Sequence, residues 1–139
     1  MKKIILGAIL LFSTLGFSQE SFTTSFYMVD NSQPTKIEQT FVVKDSTITM
    51  IYSDRRYKDY YKKEGISDTI IFKVKLSNIQ NMGDSSSIRY YTIVGDQNAE
   101  NKGRLTITKI KDCYDRVILD NIDTFTNKVT TMTFINKCQ

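Results

Sequence analysis

Two cysteines, a knot of arginines and tyrosines, and 15 Asp and Glu are the reactive chemistry of this 139-residue chain, which has no histidine. Without imidazole there is no Ser-His-Asp or Cys-His triad, no HExxH zinc site and no histidine pH switch. Two Cys without His cannot supply the four ligands of a structural zinc site. The six glycines, at 7, 16, 65, 83, 95 and 103, stand too far apart for a GxGxxG or Walker loop. Carboxylate pairs can hydrolyse glycosides without histidine, but no spacing here marks such a pair. Asp84 and Ser85 to Ser87 read as a loop, with no Ser-Lys dyad. The expectation is a non-enzymatic protein with no catalytic residues, no cofactor and no metal site.

Cys113 and Cys138 are expected to form an intramolecular disulfide tying the last strand to the segment near residue 113. Arg55, Arg56, Tyr57, Tyr60 and Tyr61, with Lys58, Lys62 and Lys63 among them, form a basic-aromatic cluster broken only by Asp59. Tyr and Arg bring contact area and hydrogen bonds together, so this cluster is a candidate binding surface for an anionic glycan, a lipid head group or an acidic protein face. The plainer alternative is an edge whose charges discourage strand-to-strand pairing. Asp96, Asn98 and Glu100 alternate like the front of a calcium loop, but Asn101 and Ile107 stand where that loop needs Gly and Glu. Asp112, Asp115, Asp120 and Asp123 are scattered as turn residues are.

Residues 1–18 have the pattern of a cleaved signal peptide. Lys2 and Lys3 make a basic start, Ile4 to Phe12 an apolar run, and Gly16 and Ser18 the small residues before a cut at Gln19. The apolar core is about 14 residues, short of the roughly 20 a span needs, and no transmembrane segment is expected in the mature chain. A short signal with a Gly-x-Ser cut before Gln is of bacterial type, which implies a periplasmic or extracellular protein. Of the 19 Lys and Arg, two leave with the signal, so 17 against 15 acids give the mature chain a net charge of +2. That margin, together with export, argues against nucleic acid as a partner.

The mature chain, residues 19–139, is expected to be a single all-β domain. Ile, Val, Thr, Phe and Tyr supply 50 of its 121 residues, and Ala and Leu only four. Such residues suit a pleated, half-buried surface. Alternation marks strands around Phe22 to Met28, Ile37 to Lys44, Thr47 to Tyr52, Thr69 to Ser77, Ile88 to Val94, Arg104 to Lys111, Arg116 to Asp120 and Lys128 to Ile135. Asp45-Ser46 reads as a tight hairpin, and Asn78 to Ser87 and Gly95 to Gly103 as polar connections. Residues 54–65 carry two signals. Tyr57, Tyr60 and Tyr61 have helical spacing, and Asp54, Lys62, Lys63 and Gly65 suit a capped helix, yet tyrosine as a residue type and the neighbouring β-pattern favour a strand over Arg56 to Lys63, turning at Glu64-Gly65. Eight to nine short strands make a small antiparallel β-barrel or β-sandwich.

In strand count and size a meander barrel of this kind resembles the lipocalin and fatty-acid-binding group, although the Gly-x-Trp signature of lipocalins cannot occur in a chain without Trp. Phe72, Val74, Ile88, Tyr90 and Val94 would line a filled core or a ligand pocket, and periodicity does not separate the two. The expected function is a binding module for a hydrophobic small molecule or for a partner on the Tyr/Arg face. The alternatives are a structural or inhibitory protein acting by protein contact and, behind it, a carboxylate hydrolase.

Overall fold

The structure, a computed structural model, describes residues 19–94 and 101–138. The signal-type segment 1–18 and the Asp96, Asn98 and Glu100 triplet lie outside the described residues. Eight strands follow in order: β1 (Glu20–Val29), β2 (Thr35–Val43), β3 (Thr47–Tyr52), β4 (Thr69–Gly83), β5 (Ser86–Ile93), β6 (Asn101–Ile110), β7 (Cys113–Asp123) and β8 (Val129–Ile135). Among the described residues one helix, α1 (Arg55–Glu64), joins β3 to β4. Every strand pairs antiparallel with its sequence neighbours, and β1 pairs with β8, so the sheet closes into a barrel.

Period-two patterning decides which residues face inward. On β2, Ile37, Gln39, Phe41 and Val43 are buried; on β3, Ile48 and Met50; on β6, Leu105 and Ile107; on β7, Val117 and Leu119. These side chains, with Val74, Tyr91 and Phe134, fill the middle of the barrel. Phe41 meets Phe134 edge-on at 5.2 Å between ring centres, a favoured aromatic geometry. On β5 the inward set is Tyr91 and its same-face neighbours Arg89 and Ile93, which oppose Leu105, Ile107 and Gly103 of β6. Ile88 and Tyr90 therefore face outward, and Val94 is exposed, so these three are not core.

Residues 54–65 are the main correction to the sequence reading. They form a helix, because both ends are capped. Asp54 accepts the Arg56 N–H and stays extended, and Gly65 adopts the left-handed conformation, φ 67°, where its N–H reaches the Lys62 carbonyl. Lys62 and Lys63 occupy the last turn, where cations suit the helix dipole. A second correction concerns Asn78 to Ser87. That stretch is a hairpin arm rather than a polar loop. β4 continues to Gly83, and Asp84 and Ser85, both at positive φ, make a two-residue turn into β5. Asn101 to Gly103, read as connection, belong to β6.

The two ends of the barrel differ. At one end lie the β2–β3, β4–β5 and β6–β7 turns, together with Glu20 and the cysteines. At the other lie the β1–β2 loop, α1 and the β7–β8 turn. Among the described residues no helix is long and apolar enough to cross a membrane.

Candidate functional site

The helix end carries a cavity of about 340 Å³. Met50 and Tyr52 from β3, Ile70 and Phe72 from β4 and Ile93 from β5 form one side. Gly103 from β6, Leu119, Asp120 and Asn121 from β7 and Met132 from β8 form the other. Consecutive strands supply the wall because inward residues recur every second position. Gly103 keeps the wall tight: a Cβ there would stand 2.6 Å from Ile93 Cδ1, its cross-strand neighbour. Below this space the filled middle of the barrel makes a floor, so the molecule is neither hollow throughout nor packed throughout. Of the residues that the sequence offered as core or pocket, Phe72 lines the cavity and Val74 is buried beneath it.

The lining is mostly apolar, with Tyr52 and Asn121 as its polar side chains, while Asp120, between inward Leu119 and Asn121, turns its carboxylate to the outer face. Burial pushes the Tyr52 phenol up to about 12, helped by the neighbouring Tyr61, so it stays protonated. Asp120 is already engaged, accepting the Thr131 hydroxyl at 2.7 Å and facing the Arg104 guanidinium at 3.6 Å. Gln39, the register partner of Tyr52, is 1% exposed, and its Oε1 has no hydrogen-bond partner among the described residues.

The Tyr/Arg cluster sits on α1 beside this cavity, and the structure divides it. Tyr61 packs its ring 5.0 Å from that of Tyr52, and Tyr57 lies 6.5 Å from Tyr61, so these two tyrosines help dock the helix on the barrel rim. Arg56 is tied back through Nε and Nη2 to the Asp54 carboxylate, at 3.1 and 3.0 Å, and through Nη2 to the Lys36 carbonyl. Arg55 and Tyr60 remain exposed. Arg56, Tyr57 and Tyr60 line a shallow depression of their own. The five residues are thus close together, but three of them, Arg56, Tyr57 and Tyr61, serve the helix's own attachment.

At the opposite end Glu20 accepts hydrogen bonds from Arg89 Nη2 at 2.6 Å and from the Tyr114 hydroxyl. Burial raises the Glu20 carboxyl, but the bonds from Tyr114 and Arg89 outweigh it and hold the group below its ordinary value. Tyr114 moves the other way, up to about 12, through burial and the adjacent carboxylate. Its ring stacks on Phe22 at 4.0 Å, and the Lys109 ammonium lies 5.3 Å from its centre. Sequence reasoning singled out none of Glu20, Arg89 and Tyr114. They are 69 and 94 positions from Glu20, and only strand closure brings them together.

Cys113 and Cys138 stand at disulfide distance, Cα to Cα 5.8 Å. Among the described residues no group of three or more Cys, Asp or Glu is arranged to hold a metal ion. The fold and these sites define a small closed antiparallel barrel with a helix at one mouth. Comparison with protein-family models, with curated proteins and with solved structures returns no match for the chain.

Proposed function

We propose that the protein is an exported, non-enzymatic binding protein that holds a small, neutral, mainly apolar molecule in the helix-end cavity. The observation that carries this reading is the cavity itself. Its volume lies at the low end of the roughly 300–1,000 Å³ range of ligand pockets, and an apolar lining with a few polar groups is what such pockets use. The charge of the lining selects the ligand class. No ionised side chain among the described lining residues faces the cavity, since Asp120 alternates with inward Leu119 and Asn121 and meets Arg104 outside, so a carboxylate ligand would be desolvated without a counter-charge. A protonated Tyr52 and the Asn121 amide suit a hydroxyl, carbonyl or amide head. Export is supported by the signal-type start and the cysteine pair, and it makes the periplasm or the extracellular space the site of action.

The test is a titration with N-phenyl-1-naphthylamine, a neutral probe that brightens in apolar surroundings, followed by competition with 1-decanol and with decanoate. The expected result is probe binding that decanol displaces and decanoate does not, and that Met132→Phe weakens by narrowing the cavity. No brightening would overturn the reading. Displacement by decanoate alone would overturn the ligand class while leaving a binding protein.

A second reading, a structural or inhibitory protein acting by protein contact, is favoured by one observation: half of β4 is a strand whose residues are all exposed.

A further inference from the structure

β4 outruns its neighbour on one side. β3 pairs with it only from Thr69 to Lys73, and the Ser46 carbonyl accepts the Val74 N–H at 2.9 Å. From Lys75 to Gly83 the strand is paired with β5 alone among the described residues. All nine of those residues are exposed. Leu76, Ile79 and Met82 are 41%, 47% and 46% exposed, high values for large apolar side chains in a strand.

We propose that this free edge is a self-association surface, on which two copies of the chain pair their Lys75–Gly83 segments antiparallel about a two-fold axis. An open edge offers unpaired N–H and C=O groups that template another strand. Proteins blunt such edges with Lys, Pro, bulges or short length. Here the segment from Leu76 to Gly83 contains no charged residue and no Pro. The restraints present are Lys75 at the segment's start, the register shifts between Leu76 and Asn78 and between Asn81 and Gly83, and the Asn78 Oδ1, which accepts the Ile79 N–H at 2.9 Å. A carbonyl of an incoming strand can replace that side-chain acceptor.

The charge pattern suits a second copy. Leu76 and Ile79 line a depression with Glu20, Lys44, Asp45 and Arg89, two charges of each sign, so neither an acidic nor a basic peptide is selected. A two-fold pairing through Ile79 sets Lys75 of each copy against Gly83 of the other, so no like charges meet. An antiparallel two-fold contact is also closed, because each edge is consumed by its twin and no filament results. The surface of α1, by contrast, is unfit for self-pairing, since Arg55, Lys58, Lys62 and Lys63 would face their own copies. The proposal is independent of the cavity, which lies at the other end of the barrel.

The experiment is sedimentation of the exported chain over a concentration series, joined to hydrogen exchange at each concentration. Dimer at the upper concentrations is expected, with amides between Leu76 and Asn81 gaining protection as dimer forms. Ile79→Lys brings two ammonium groups together at the axis and should weaken association ~10-fold or more. Its thermal midpoint, measured where the protein is monomeric, shows that the barrel is intact. Mixing Ile79→Lys with Ile79→Glu should restore the pair. A monomer at every concentration overturns the proposal, as does a monomer whose edge amides are already protected by its own chain. A dimer indifferent to Ile79→Lys and to the mixed pair overturns it too.

Discussion

Glu20 serves two donors that need it for different reasons. Arg89 has a side chain only 18% exposed, and a guanidinium so placed is costly without a counter-charge. Tyr114 keeps its hydroxyl bonded while its ring stacks on Phe22. The two shifts act on opposite limbs of a stability profile. The Glu20 carboxyl titrates below its ordinary value when folded, so its contribution is present above that value and is lost as pH falls through the folded one. Tyr114 is raised from 10.0 to about 12, so its contribution is complete below 10.0 and is lost as pH climbs towards 12. Tyr52, raised over the same interval, adds to that alkaline limb. Urea midpoints taken across pH should therefore fall at both extremes. Glu20→Gln should remove the acid limb it owns and lower stability at neutral pH by ~1 kcal/mol, a modest figure because this carboxylate is partly solvated.

α1 depends on its ends more than on its faces. None of its residues is fully buried, and its barrel-facing stripe is only the half-buried Tyr57 and Tyr61, a residue type that also suits strands, so the sequence pattern leaned towards a strand. Asp54, Lys62, Lys63 and Gly65 were the informative residues, since caps act locally whatever the face buries. Gly65→Ala places a Cβ on a residue at φ 67° with open space around it, so the cost is backbone conformation rather than a clash. That cost is ~1–2 kcal/mol, and proteolysis within 55–64 should become easier while the barrel's own midpoint moves little. The strands that alternate cleanly, such as Ile37, Gln39, Phe41 and Val43, were legible because one face is buried and the other is wet. The far half of β4 was not, since neither of its faces is buried and Asn78, Gln80, Asn81 and Gly83 read as loop residues. The cavity could not be read in advance either. Met50, Phe72, Ile93, Leu119 and Met132 are ordinary inward residues, and whether they meet or leave a gap depends on how eight strands close.

The whole molecule is a ring of paired strands, and its thinnest joint is the one between first and last. β1 and β8 share four register pairs, Phe26–Ile135 to Val29–Met132, against ten between β6 and β7. The covalent link stands beside that joint: Cys138 follows β8 and reaches back to Cys113 at the start of β7. A bridge across that separation stabilises by ~3.5 kcal/mol in the chain-entropy model. Reduction, or Cys113→Ser with Cys138→Ser, should lower the denaturation midpoint accordingly. In hydrogen exchange the amides of Phe26 to Val29 should lose protection before those of β6. Reduction that leaves both unchanged would mean the bridge is not formed in the native protein.

That joint also sets a timetable. A chain is synthesised from its first residue onward, and β1 must wait for a partner encoded about a hundred residues later. Until Val129–Ile135 emerge, β1 holds β2 on one side and nothing on the other, and the cysteine bridge cannot form before Cys138 appears. The ring is thus completed in one late step, after nearly all of its local hairpins can exist. Closure of so distant a pair is the slow kind of contact. During that interval the nascent protein exposes three raw strand edges, those of β1, β7 and the far part of β4; β8 seals the first two, and no described strand seals the third.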